Sequence, residues 1–313
     1  MNKTDIVNFL KSKPGLSFSG VELEAGLPKG TLGKVSRGER ELSLKHMEKL
    51  VPVLKGYGFL EGAKAEVIAF ANHKGGVAKT TTVINAAKGL AMRGLKVLMV
   101  DMDAQGNLSQ IAGYDDPEVS AGDALLEKQI PLPIVPVTDN LDIVPADLSL
   151  AEADIVLMQE IGGFNKLNLL LDPLRNEYDY ILIDCPPALN IITNSALVAA
   201  DSCVICLVPE VSGIKGLGKL LDRIEEVKVK INSKLRVKGV LFTVVKQNTS
   251  LHTQNMDFVR AELSGGVPVF NSVINQNIAV SEAQSAQQSI FDYAPSSKGA
   301  VDYQDFITEF AGF

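Results

Sequence analysis

The sequence predicts a doubly wound α/β domain built on a mostly parallel sheet, preceded by a small all-α unit. Three observations carry that expectation. From about residue 65 onward, apolar runs of strand length alternate with helical patterns, as in a parallel sheet buried on both faces. Before that point the chain holds only short helical patterns punctuated by glycine and proline. Between the first apolar run and the first long helical pattern lies the stretch Asn72-His73-Lys74-Gly75-Gly76-Val77-Ala78-Lys79-Thr80-Thr81-Thr82.

At 313 residues the chain has room for one large domain plus a small module. Hydrophobic residues make up 46% and charged residues 21%, which suits a globular protein with a substantial core. No apolar stretch approaches a membrane span, and no signal-peptide core follows Met1, so a cytoplasmic location is expected. The net charge of −7 is unevenly spread. Residues 1–66 carry 11 Lys/Arg against 8 Asp/Glu, a net +3 that leaves −10 on the remainder. A basic head on an acidic body implies modules with different partners, and the boundary is placed between residues 64 and 65. Of the three cysteines, Cys203 and Cys206 form a C-x-x-C. Their odd offset in a strand-like run directs them to opposite faces, so they read as core residues and not as a metal or redox pair.

In the head, Ser12-Lys13-Pro14-Gly15 and Gly56-Tyr57-Gly58 mark turns. A short helix is expected over Phe18–Ala25, stopped by Gly26-Leu27-Pro28. A polar, basic helix follows through Thr31, Lys34, Ser36 and Arg37. A last helix starts from a Ser43 cap and sets Leu44, Met47, Val51 and Leu54 on one face. That order is the order of a helix-turn-helix unit. The region resembles the small DNA-binding modules of phage-type repressors. By that resemblance Lys29, Thr31, Lys34, Ser36 and Arg37 face DNA. The competing reading is a helical cap or dimerisation bundle whose charges are only solvated.

In the body, strands are expected at Val67–Ala71, Val97–Val100, Leu141–Val144, Tyr180–Ile183, Cys203–Val208, Val237–Val245 and Val267–Val273. Helices are expected at Lys79–Arg93, Gly213–Lys230 and His252–Leu263. Ligands of such sheets bind at the carboxyl ends of the strands. Three strand ends there carry chemistry. The first runs into the glycine loop, where backbone N–H groups and a helix start suit a phosphate chain. The common phosphate-loop pattern needs glycine six residues before its lysine and glycine just before it. His73 and Ala78 occupy those positions, leaving a variant, Lys-Gly-Gly-x-x-Lys-Thr, with a second lysine, Lys74, at its head. The second strand end is Asp101-Met102-Asp103-Ala104-Gln105-Gly106-Asn107, and the third is Asp184-Cys185-Pro186-Pro187. An apolar strand ending in aspartate is where phosphate-loop NTPases hold a Mg²⁺ shell, together with the loop Ser/Thr hydroxyl.

With these segments the chain resembles the ParA/MinD family of deviant Walker A ATPases, most closely the ParA-type DNA-partition ATPases. Ile143-Val144-Pro145-Ala146, Asn194 to Asp201, Val208-Pro209-Glu210 with Gly216-Leu217, and Ser281-Glu282-Ala283 extend the match in family order. The resemblance implies ATP and Mg²⁺ as cofactors. It places nucleotide contacts on Lys74, Gly75, Gly76, Val77, Ala78, Lys79, Thr80 and Thr81, and metal contacts on Thr80 and Asp184. Lys79 would touch the β- and γ-phosphates, and Asp103 would position the attacking water. Lys74 would reach the nucleotide of a second subunit, so that the active form is an ATP-dependent homodimer. Ala78 stands where glycine is commoner and Ala104 where proline is usual; both are small, and little effect is expected.

The function so implied is ATP-dependent DNA partition with slow hydrolysis, a ParB-like partner, nucleoid association and autoregulation through the head. Many relatives bind DNA through arginines near the segments matching Lys246-Gln247-Asn248 and Ile274 to Ala279. Here those segments are largely neutral, leaving Lys246, Arg260 and Lys298, with Arg223, Lys228 and Lys230 as a possible replacement. An alternative is a transcriptional regulator that uses ATP only as a switch. A membrane-associated cell-division regulator of the MinD kind needs a basic amphipathic C-terminus, whereas Tyr303–Phe313 is acidic; no membrane partner is expected. An electron-transfer iron protein needs cluster cysteines, which these are not.

Overall fold

The computed structural model describes residues 6, 7, 9, 10, 13, 15–40, 42–57, 64–127, 130–246 and 249–312. Gln247 and Asn248 of the neutral segment lie outside the described residues, as do Ser12, Pro14 and Gly58 of the head's turns. The chain divides into two compact units, Met1–Lys64 with Met92–Leu95 and Ala65–Ala91 with Lys96–Phe313, each with its own buried core.

In the first unit, α1 (Phe18–Glu24) is capped by Ser17, whose hydroxyl accepts from the Gly20 amide. The turn after it passes through Gly26 at φ +59°, and Gly30 at φ +82° opens α2 (Thr31–Ser36). Both backbones are left-handed, which glycine adopts without Cβ strain. Glu22 is buried, and its carboxylate accepts from the amides of Gly30 and Leu32 at 2.8 and 2.6 Å. It thus satisfies two of the orphan donors of α2 and offsets the weakness of a six-residue helix containing Gly33. Helix α3 (Leu44–Gly56) starts at Ser43, whose hydroxyl accepts from the His46 amide. Its inner face differs from the expected one. Leu50 and Leu54 are fully buried and Met47 packs beside them, whereas Val51 is only half-buried.

The second unit is one eight-stranded sheet, ordered β3-β4-β2-β5-β1-β6-β7-β8. Its strands are β1 (Glu66–Ala71), β2 (Val97–Asp101), β3 (Val135–Thr138), β4 (Leu141–Val144), β5 (Tyr180–Asp184), β6 (Ser202–Leu207), β7 (Arg236–Val245) and β8 (Val269–Asn275). Every neighbouring pair is parallel except β3 with β4. The seven strands expected are present within two residues at each end. The edge strand β3 was not expected: a four-residue Val-Pro-Val-Thr stretch has no apolar run to mark it, and a proline is tolerated there because the strand is an edge. Central strands β2 and β6 are buried throughout, as continuous apolar runs require. Cys203 and Cys206 both lie in β6, in no disulfide and fully buried, and burial pushes both thiols up in pKa.

Around the sheet run α4 (Lys79–Met92), α5 (Asn107–Ile111), α6 (Ala121–Leu126), α7 (Ser149–Gln159), α8 (Lys166–Leu171), α9 (Ile191–Ala199), α10 (Val211–Lys230), α11 (Ser250–Glu262), α12 (Ile278–Ser285), α13 (Ile290–Tyr293) and α14 (Lys298–Ala311). The last is capped at both ends, by Ser297 and by Gly312 at φ +68°. It drives Phe306 and Phe310 into a ring cluster with Phe270, Phe70 and Tyr180. Burying each such ring contributes about 2–3 kcal/mol, so the C-terminal helix closes the core. Among the described residues, no helix is long and apolar enough to cross a membrane.

Candidate functional site

The order β2-β5-β1-β6 brings three chemistry-bearing strand ends side by side. The glycine loop leaves β1 and delivers Lys79 at the first turn of α4. It is pinned at three points. Buried Asn72 donates to the Cys206 carbonyl at 2.7 Å, its own Oδ1 accepts from the Lys74 amide at 3.0 Å, and Thr243 donates to the Val77 carbonyl at 3.0 Å. Gly76 has φ +72°, and Ala78 has φ +58°. The second value corrects the expectation that Ala78 is a neutral replacement. Its small size is not what matters, because the backbone there is left-handed and a Cβ costs about 1–2 kcal/mol in that region.

The loop forms one wall of a cavity of about 450 Å³, and Gly75, Gly76, Val77, Ala78, Lys79, Thr80, Thr81 and Asp103 all line it. The opposite wall was not anticipated. It comes from the end of β8 and from α12, through Gln276, Asn277, Ser281 and Gln284, with Val244 beside them. Val244 is β-branched yet sits at φ +52°, a strained backbone of the kind that concentrates at ligand sites. The polar run after β8 was the available signal for this wall; its place opposite the loop depends on the fold.

Asp184 ends β5, and Asp101 ends β2 in register with it. Both are fully buried. Asp101 is satisfied: Oδ1 accepts from the Asp103 amide, while Oδ2 accepts from the Ser109 amide and hydroxyl at 2.9 and 2.7 Å. The Ser109 hydroxyl accepts in turn from the Ala146 amide at 2.8 Å. Neither carboxylate oxygen of Asp184 has a hydrogen-bond partner. Burial, then the neighbouring Asp101, raises its pKa well above the usual carboxylate range, against the pull of the Thr80 hydroxyl and the Lys79 ammonium. Burial likewise raises Asp101. A buried carboxylate with two unused oxygens, beside a threonine hydroxyl, fits the outer shell of a hydrated divalent cation. Asp103 lines the cavity, and its Oδ1 accepts from the Gln105 amide at 3.1 Å. Gly106, at φ +62°, lies so close to Ala146 that an added Cβ would sit 3.0 Å from the Ala146 carbonyl oxygen.

Lys79 is nearly buried and its ammonium reaches back to the Lys74 carbonyl at 3.4 Å. Lys74 takes another course. Its ammonium is bonded to Glu210 at 3.0 Å and to the Ser212 hydroxyl at 2.9 Å, outside the cavity its own loop lines. Its hydrogen bond and charge hold Glu210 below the usual carboxylate range. Glu210 belongs to the matched Val208-Pro209-Glu210 segment, though no role was expected for it; Ser212, in the first turn of α10, was singled out by no motif.

In the head, Lys29, Lys34 and Arg37 are exposed and Ser36 is half-buried. Thr31 is not a surface residue: it is buried, and its hydroxyl donates to the Pro28 carbonyl at 2.6 Å. That corrects its place among the DNA-facing side chains. Arg37 is paired with Glu39 at 2.6 Å. In the body, Arg223 and Lys230 pair with Glu226, and Lys228 pairs with Glu225, so these three cations are balanced by glutamates of their own helix. Arg260 donates to the Phe270 carbonyl and lies over the Phe242 ring, a packing role.

Residues 65–237 match the AAA domain family. The sporulation initiation inhibitor protein Soj of Bacillus subtilis is 38% identical over 250 residues, spanning 79% of this chain and 98% of Soj. The chromosome partitioning protein ParA of Caulobacter vibrioides is 36% identical over 257 residues, spanning 78% and 92%. Among solved structures, cobyrinic acid a,c-diamide synthase from Mycobacterium smegmatis, with bound ADP and magnesium, matches with a TM-score of 0.68. It is 30% identical, and the match covers 78% of this chain and 92% of that one. With its parallel sheet, glycine loop and paired strand-end aspartates, the chain belongs to the ParA/MinD family of P-loop ATPases.

Proposed function

We propose that this protein is a DNA-partition ATPase that dimerises on ATP, binds DNA in that state and hydrolyses ATP slowly. The observation that carries the reading is Asp184, a buried carboxylate without hydrogen-bond partners beside Lys79 and Thr80 at the glycine loop. Thr80 and Asp184 would hold Mg²⁺, which when bound neutralises charge on the phosphates. Lys79 binds the β- and γ-phosphates, the loop amides bind the chain of phosphates, and Asp103 orients the attacking water. Lys74 serves the nucleotide of a second copy, a role favoured by its ammonium lying outside its own cavity.

Operator-specific DNA contact is assigned to the head, residues 1–64, through Lys29, Lys34, Ser36 and Arg37, and residues 65–313 form the ATPase, whose ATP-bound dimer would make the partition contact with DNA. The proposed setting is the nucleoid, with a ParB-like centromere-binding partner stimulating turnover and the head repressing its own operon. Soj and ParA, the relatives named above, are described as a sporulation initiation inhibitor and a chromosome partitioning protein.

A second reading, an ATP-switched transcriptional regulator, is favoured by one observation: Arg223, Lys228 and Lys230 are each paired with glutamates of their own helix. DNA binding with ATP, ADP and no nucleotide, on the full chain and on residues 65–313, separates the two. ATP-dependent binding by residues 65–313 at low salt supports partition through the body; binding by the full chain alone supports the regulator.

A further inference from the structure

Helix α7 carries a second apolar face that the body does not use. Leu150, Ala153 and Leu157 point into the core. On the other side Leu148 is 73% exposed, Ile155 62% and Met158 68%, and exposed Ala151 lies between them. Steps of three, four and three residues align these four along the helix, the spacing of a coiled-coil seam. Just past the helix, Ile161 is also fully exposed. A helix apolar on both sides belongs in a buried position, and here only one side is buried. Exposed apolar surface of this kind marks a contact site.

The charges along the seam have one sign. The helix carries Glu152 and Asp154 and no lysine or arginine, with Asp147 and Glu160 at its ends. The next cation along the sequence, Lys166, is paired with Glu160 at 3.4 Å. A second copy would set carboxylates against carboxylates, and an anionic membrane would meet the same repulsion. A partner with apolar residues at matching spacing and basic flanks meets neither obstacle.

We propose that the outer face of α7 is the docking site of a basic amphipathic helix, its apolar side on Leu148, Ala151, Ile155 and Met158 and its lysines or arginines against Glu152 and Asp154, which flank that stripe. The site is separate from the nucleotide cavity, which no residue of α7 lines.

The test uses the full chain and two synthetic labelled helices of about 18 residues. Both have leucines at three- and four-residue spacing, one with lysines elsewhere and the other with glutamates. Fluorescence anisotropy should give a micromolar-range Kd for the lysine helix, weakening with salt, and at least a tenfold weaker one for the glutamate helix. The double variant I155E/M158E should weaken the lysine helix at least tenfold with an unchanged melting temperature, since both side chains are exposed. Added negative charge would strengthen non-specific attraction, so this loss isolates the seam. Equal binding of the two helices, no binding, or binding indifferent to the double variant overturns the proposal. Self-association of the wild type that the double variant abolishes overturns it in favour of a second copy.

Discussion

Asp101 and Asp184 stand in register on neighbouring parallel strands, one with both carboxylate oxygens hydrogen-bonded and the other with neither. The pair divides two tasks. Asp101 holds the Asp103 segment through backbone amides, and the carboxylate of Asp184 is the one proposed to serve Mg²⁺. Burial and mutual repulsion raise both pKa values.

That pairing makes stability pH-dependent in a definite direction. Both folded-state pKa values lie above the unfolded value of about 4. Their contribution is therefore fully present below that pH and is lost as pH rises through the folded values. In cation-free buffer the melting temperature should fall as pH rises above about 4. Asp184→Asn should flatten this decline, and Mg²⁺ should flatten it in the wild type but not in the variant. A slope unchanged by Asp184→Asn would remove Asp184 as its source.

Ala78 tests backbone strain. At φ +58°, replacement by glycine relieves about 1–2 kcal/mol of Cβ crowding and restores about 0.4–1 kcal/mol of unfolded-chain entropy. A net gain of about 1 kcal/mol is expected for Ala78→Gly in urea unfolding, and Ala78→Val should destabilise.

Gly216 faces the glycine loop from α10. A Cβ there would lie 1.8 Å from the His73 ring, so Gly216→Ala must displace the residue preceding Lys74. Overpacking of this kind costs about 1–3 kcal/mol. Equilibrium titration should show weaker nucleotide binding, with a smaller loss for Gly218→Ala, where the space is open.

Ser109 joins Asp101 to Ala146. Ser109→Ala removes the two hydroxyl bonds, leaving the Ser109 amide on Asp101, without touching the cavity, which Ser109 does not line. The ATPase kcat should fall several-fold while KM stays near the wild-type value, because the Asp103 segment is loosened and the phosphate loop is not. A rise in KM at constant kcat would contradict this.

Glu22 is the equivalent device in the head. Glu22→Ala leaves two amides at the start of α2 without their acceptor, at a cost of about 1–3 kcal/mol for each buried group. Calorimetry should show an early transition for residues 1–64 ahead of that of the body, and DNA binding assigned to α2 should be lost with it.

The sequence by itself determined the architecture of the body, because its strands are continuous apolar runs with helical patterns between them. It also determined the phosphate loop and the strand-end aspartates, since these are local patterns: a strand, a glycine turn, a lysine and threonine at a helix start. What only the tertiary structure decided depends on which strands become neighbours. The opposition of Asp101 and Asp184 comes from β2 lying beside β5, and the cavity's second wall comes from β8 and α12, some 200 residues beyond the loop. The same holds for Lys74, whose partners Glu210 and Ser212 are 136 and 138 residues away. Thr31 and Ala78 show the remaining limit. A residue type announces polarity or size, but burial and the sign of φ are settled by packing and closure of the chain around it.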